Sequence, residues 1–150
     1  MTATTTRDYA AGRALIEEYA GALNVDLCFQ NFSTEIADLP VSTDHPVALY
    51  CLRISTGKAA GCVAIRPLEG AVCEMKRLYV KSQYRGMHLG HRLVEAAIEQ
   101  AARLGYTRIV LDTLPGMVPA QRLYASFGFQ EIEGYYANPV AGVRYLARDL

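Results

Sequence analysis

The sequence predicts an α/β fold on one mixed sheet, antiparallel in its first strands and parallel at its centre. Three observations predict it. Apolar stretches over residues 47–54 (VALYCLRI) and 59–66 (AAGCVAIR) flank a short turn at Thr56-Gly57-Lys58, and a two-residue Glu69-Gly70 turn leads to a third, residues 71–80 (AVCEMKRLYV). Short turns join antiparallel neighbours. A long helical pattern then separates 71–80 from the apolar, β-branched 107–111 (TRIVL), and a strand–helix–strand crossover makes its two strands parallel. Finally, 51% of the 150 residues are hydrophobic, enough for a sizeable core and too many for a disordered chain.

The elements follow in order. Residues 8–23 carry Ala11, Leu15, Tyr19, Ala22 and Leu23 at helical spacing. A second, short helix is expected over 32–39, with Asn31 or Ser33 as its cap and Pro40 as its stop. The three strands come next. The helix after them runs from about 89 to 104, with the stripe Leu89, Leu93, Ala97, Ile98, Ala101 and Leu104, and Gly105 ends it. After strand 107–111 a last helix covers 119–127, with Pro119 in its first turn and Gly128 at its end. Strands 129–132 and 143–147 finish the chain around the tyrosine-rich loop GYYANPVAG. The expectation is one domain over residues 1–150 with about four helices.

Composition narrows the function. Formal net charge is zero and no basic run of five appears, which argues against a nucleic-acid partner. No apolar run approaches the ~20 residues that cross a bilayer, and MTATTTRDYA lacks the basic-then-apolar pattern of a secretory signal. A cytoplasmic enzyme or binding module without a membrane partner is expected. Cys28, Cys51, Cys62 and Cys73 form no C-x-x-C pair, so they read as small core hydrophobes rather than metal ligands. His88 and His91 lie three apart with no third ligand nearby and read as surface histidines; no metal is expected.

The informative stretch is Arg85-Gly86-Met87-His88-Leu89-Gly90, where the long helix begins. A helix start exposes unpaired N–H groups and partial positive charge, and phosphate binds there. Glycines let the backbone approach an anion, and Arg85 can add a charge-assisted bond. A plain strand-to-helix turn would need glycine too. The P-loop spelling G-K-[ST] and the dinucleotide fingerprint G-x-G-x-x-G are both absent.

This turn resembles the acetyl-CoA signature of the GCN5-related N-acetyltransferase (GNAT) family, R/Q-x-x-G-x-G/A, with Arg85 first and Gly90 last. The strand EMKRLYV before it and the segment LYASFGF after it strengthen the likeness, which extends over roughly residues 45–135 as element order. It implies acetyl-CoA in a V-shaped gap between strands 71–80 and 107–111. The main chain of Leu78, Tyr79 and Val80 would meet the pantetheine arm, and the N–H groups of Arg85, Gly86, Met87, His88, Leu89 and Gly90 the pyrophosphate. It also implies Tyr124, in LYASFGF, at the coenzyme sulfur as proton donor, and Glu74 as general base.

Two residues depart from the pattern. His88 stands where the family has glycine. A first-turn helical position, with negative φ, would tolerate its side chain; the imidazole either touches phosphate or faces solvent. Met117 stands seven residues before Tyr124, where many members carry asparagine.

The chemistry asks for such groups. An alkyl amine is protonated near pH 7 and must lose a proton before it attacks, while a leaving thiolate is helped by a donor that stays protonated. Ionised Glu74, Lys76 and Arg77 are unusual on a central strand. Strict alternation puts Glu74, Lys76, Leu78 and Val80 on one face, which either opens to a cleft or pairs its charges; Glu74 is a base or half of a salt bridge. Tyr124 is a proton donor or a core aromatic. Tyr135, Tyr136, Asn138 and Arg144 could line an acceptor pocket or a homodimer contact. Asp112 binds an amine or caps the last helix. The expected function is acetyl-CoA-dependent transfer to a primary amine of a small molecule or peptide. The rivals are a non-catalytic acyl-CoA-binding module and an unrelated nucleotide-binding domain.

Overall fold

The computed structural model of the chain describes residues 6–23, 48–53 and 55–150. Among them come helix α1 (Thr6–Leu23), strands β1 (Ala48–Arg53), β2 (Ala59–Glu69) and β3 (Val72–Val80), and a 3-10 turn (Ser82–Tyr84). Helix α2 (Leu89–Arg103), β4 (Arg108–Thr113), helix α3 (Val118–Ser126), β5 (Gln130–Ile132) and β6 (Arg144–Asp149) follow. The strands form one sheet in the order β1-β2-β3-β4-β6-β5. The first three are antiparallel neighbours and β3 pairs β4 in parallel, so the mixed sheet is as the sequence predicts. The helix expected over 32–39, like Cys28, lies outside the described residues.

Both faces of the central strands are covered, which is why β2 and β3 read as near-continuous apolar runs. From α1, Leu15, Ile16 and Tyr19 pack on Cys51, Cys62, Ala64 and Tyr79. From α2, Leu89, Leu93, Val94, Ala97 and Ala101 are buried over the opposite face, against Val63, Ile65, Cys73, Met75, Ile109 and Leu111. Each buried leucine, isoleucine, valine or methionine among them contributes about 1.5–3 kcal/mol on burial. Leu104, expected in this stripe, is 53% exposed, because α2 ends before it; Val94 is buried instead. The hairpin turn between β2 and β3 is Gly70-Ala71, one residue later than expected.

The larger correction is in β3. Cys62 pairs with Tyr79 but Ala64 pairs with Lys76, so Val63 faces both Arg77 and Leu78. This is a β-bulge. Arg77 takes φ 58°, a left-handed conformation that costs a non-glycine residue on the order of 1 kcal/mol. The Cys62 thiol donates to the Arg77 carbonyl at 3.5 Å. The extra residue breaks the alternation. Glu74 and Lys76 stay on the α1 face, while Leu78 and Val80 turn to the α2 face and pack on its cluster.

Gly61 sits opposite Val80, beside the bulge. A Cβ there would lie 2.6 Å from the Tyr79 carbonyl oxygen and 3.1 Å from Leu93 Cδ1. The main-chain clash cannot be relieved by a rotamer change. Gly61→Ala should therefore destabilise the protein by about 1–3 kcal/mol, seen as a melting temperature several degrees lower; an unchanged value would contradict the close approach.

Candidate active site

The parallel pairing of β3 and β4 is short. It comprises Val72 with Arg108, Cys73 with Ile109 and Glu74 with Val110. Beyond Glu74 and Val110 the two strands continue to Val80 and Thr113 without pairing each other. The sheet forks there, and the bulge at Arg77 lies on one arm of the fork. A cavity of about 360 Å³ opens along that arm. Leu78, Tyr79 and Val80 line it from β3, Arg85 from the turn before α2, Gly90 from the first turn of α2, and Met117, Ala120 and Leu123 from α3 and its cap; Tyr19 and Ala22 reach it from α1. A recess of about 450 Å³ at the β5–β6 edge is larger. Of its charged lining residues, Arg108 pairs with Asp149 and Glu131 with Arg144 across the strands, and Arg148 completes the rim.

At the start of α2, the N–H groups of Gly86, Met87, His88, Leu89 and Gly90 have no main-chain acceptor among the described residues; the first donor of the helix is Arg92, bonded to the His88 carbonyl. Arg85 differs. Its N–H goes to the Ser82 carbonyl, and its Nε goes to the Val80 carbonyl at 3.3 Å. Arg85 thus braces the turn against the end of β3, and the run of unused donors begins at Gly86.

His88 corrects an expectation. It is the N-cap rather than a helical residue, with φ 55° and ψ 20° and no side-chain cap bond. Glycine in the family pattern meets this left-handed geometry; histidine occupies it at a cost of roughly 1 kcal/mol. Because the imidazole is exposed, His88→Gly should raise stability by up to about 1 kcal/mol, or about 2–4 °C in melting temperature. His88→Ala should give no such gain. Equal melting temperatures for the two variants would contradict the strain.

Tyr124 is buried in the core cluster that backs the cavity, next to Leu123, with its ring edge-on to Phe129 at 5.8 Å. Its hydroxyl has no hydrogen-bond partner among the described residues. Burial raises its pKa above the ordinary phenol value, with Tyr19 and Asp112 pushing the same way. Tyr19, not singled out in the sequence, is pushed up to about 12 by burial as well. Both phenols therefore stay protonated near neutrality.

On the α1 face the fork carries a charged network. Glu74 is fully buried. Arg66 Nε donates to its Oε2 at 2.7 Å, the Tyr135 hydroxyl donates to its Oε1 at 2.7 Å, and Lys76 Nζ stands 3.6 Å from the same oxygen. Glu74 is thus ion-paired with Arg66 and Lys76. Burial pushes the Tyr135 phenol far above its ordinary pKa, and the Glu74 charge adds to the shift. Asp112 on β4 accepts from the Tyr136 hydroxyl at 2.6 Å and from Asn138 Nδ2 at 3.0 Å. It does not cap α3, whose N-cap is Met117 without a side-chain bond. Tyr135, Tyr136 and Tyr145 form an aromatic cluster with ring centroids 5.4–5.7 Å apart. The loop before β6 therefore closes over the fork. Arg144 stands apart from it, bound to Gln121 at 2.9 Å and Glu131 at 2.8 Å. The ring of His91 lies 4.5 Å from that of Phe127, which gives this histidine a packing partner at the C-terminal cap of α3. Thr113, at the end of β4, holds a buried hydroxyl without a partner among the described residues.

The chain belongs to the acetyltransferase (GNAT) family, whose model matches residues 12–129. It is thus an N-acetyltransferase of the acyltransferase class. It is similar to a Schizosaccharomyces pombe protein named as an uncharacterized N-acetyltransferase, at 43% identity over 141 residues that cover 92% of this chain and 86% of the relative. In fold it is similar to a GNAT-family acetyltransferase from Staphylococcus aureus, with a TM-score of 0.75 and 17% identity over 97% of this chain and 95% of the other. A GNAT acetyltransferase from Elizabethkingia anophelis with acetyl-CoA bound has a TM-score of 0.61 and 19% identity over 69% of this chain and 76% of its own. Among the described residues no helix is long and apolar enough to cross a membrane.

Proposed function

We propose that the chain moves the acetyl group of acetyl-CoA directly to a primary amine of a small molecule or peptide. One observation carries the reading. The only parallel pair among the described strands opens immediately beside a helix start whose N–H groups, from Gly86 to Gly90, have no main-chain acceptor among the described residues. The open edge of β3 over Leu78, Tyr79 and Val80 offers main-chain groups to an extended arm, and the free amides suit a diphosphate.

Acetyl-CoA supplies an activated thioester. The residues at the fork do the rest. Glu74 receives the proton that the acceptor nitrogen gives up, through water, and the Arg66 and Tyr135 bonds hold its carboxylate in place. Tyr124 keeps its proton at neutral pH and gives it to the sulfur as the nitrogen bonds to the acetyl carbon and the carbon–sulfur bond breaks. His88 and Met117 are the points of difference from the family pattern. If His88→Gly and His88→Ala both leave the acetyl-CoA KM unchanged, the imidazole makes no phosphate contact.

The test is thiol release from acetyl-CoA against a broad panel of primary amines. Amine-dependent release with stoichiometric N-acetylated product supports the reading. Tight acetyl-CoA binding by calorimetry with no release on any amine would overturn it.

A further inference from the structure

The α1 face of the fork contains a buried cation without a hydrogen-bond acceptor among the described residues. Lys76 lies two residues beyond Glu74 on β3, and Asp112 two beyond Val110 on β4, so the pair flanks the point where the strands part. The Lys76 side chain is 4% exposed. An ammonium has three donors, yet no acceptor among the described residues is within hydrogen-bond distance of Nζ. Glu74 is 3.6 Å away, an ion-pair contact beyond hydrogen-bond reach, and its oxygens bond Arg66 and Tyr135 at 2.7 Å. The nearest other feature is the Tyr136 ring, with its centroid at 5.7 Å. Burying a cation in this way is costly. Burial holds the Lys76 pKa below its ordinary value; Glu74 and Asp112 oppose that, while Arg66 and Arg77 add to it. Across the fork, both bonds to Asp112 use Oδ2, which leaves Oδ1 without a partner among the described residues.

We propose that the acceptor amine also carries a carboxylate, as a free α-amino acid does: Lys76 Nζ binds the carboxylate and Asp112 Oδ1 receives the ammonium. The inference rests on the acetyltransferase reading above and names its acceptor class. The substrate carboxylate supplies the acceptor that Nζ lacks. The opposite signs, one on each arm of the fork, fix the direction in which the amino acid lies across it. The tyrosine cluster of the 134–145 loop packs over the bound molecule. Lys76 is a specificity residue here, since it touches the substrate away from the reacting atoms.

The experiment compares L-amino acids with their C-terminal amides, matched in side chain, on the full chain. Binding to the CoA-loaded protein is measured by calorimetry and transfer by thiol release. Acids should exceed amides by about tenfold to a hundredfold in Kd and in kcat/KM, the range of a charge-assisted bond. Lys76→Met should abolish the difference by raising the acceptor KM, with the acetyl-CoA KM unchanged, and Lys76→Arg should keep part of it. Equal binding of acids and amides to the wild-type protein would overturn the proposal, and this comparison needs no variant to fold. So would better binding of polyamines or peptides than of every free acid. If acids bind selectively but no amine is acetylated, the carboxylate site stands and the transfer reading falls.

Discussion

Tyr124→Phe should lower kcat by about a hundredfold or more, the usual contribution of a positioned acid, with the acetyl-CoA KM little changed. The ring keeps its edge-on contact with Phe129 and its place in the core, so the variant should fold with a near-normal melting temperature. The hydroxyl has no hydrogen-bond partner among the described residues to lose, which separates chemistry from packing at this position. The pH dependence has a definite sign. Burial holds the Tyr124 pKa above the ordinary phenol value, which is about 10. The group therefore donates throughout the neutral range, and the wild-type kcat should show no alkaline fall from Tyr124 below about pH 10. Near-normal turnover in the variant would reduce Tyr124 to a packing residue.

Glu74→Gln should have two separable effects. Glutamine keeps an oxygen for the Tyr135 hydroxyl but leaves Arg66 and Lys76 without their anion. Breaking a buried pair on one side costs about 3 kcal/mol or more, which for a chain of 150 residues is a melting temperature lower by about 6–12 °C. Removing the second charge as well, in Glu74→Gln with Lys76→Met, should recover part of that loss, because a neutral pair leaves less buried charge uncompensated. Activity is read below the lower melting temperature. There kcat should fall by about a hundredfold or more if the carboxylate takes the acceptor proton, and the acidic limb of the rate profile should move. Unchanged turnover with an unchanged acidic limb would remove Glu74 from the chemistry and leave it a structural anion.

The sheet was legible because its signals are local. The turn at Thr56-Gly57-Lys58, the stripe of α2 and the glycine stop at Gly105 each follow from a few adjacent residues, and the crossover rule then makes β3 and β4 parallel. The arrangement of the site was legible only in part, because two bulges reset the register. Counting back from the expected Glu69-Gly70 turn places Arg66 opposite Cys73. In the structure the turn is Gly70-Ala71 and a register shift between Pro67 and Glu69 places Arg66 opposite Glu74. The partner of the central carboxylate was therefore hidden, although both residues were in plain view. At Arg77 the second bulge moves Leu78 and Val80 off the face that alternation assigns them. A β-bulge with a non-glycine residue at positive φ carries no composition cue. His88 is the same lesson at a helix cap: the residue type argues for negative φ, and the turn geometry overrides it. The loop tyrosines were marked as pocket candidates, but their pairing with Glu74 and Asp112 spans 61 and 24 residues of sequence, beyond any local pattern.

The most direct measurement is amide NMR of the uniformly ¹⁵N-labelled chain titrated with acetyl-CoA. The largest shifts should fall on Gly86, Met87, His88, Leu89 and Gly90, with a second set on Leu78, Tyr79 and Val80, and both should saturate with one affinity. Shifts confined to the β5–β6 edge, or absent from residues 86–90 at saturation, would contradict a coenzyme seated in the fork.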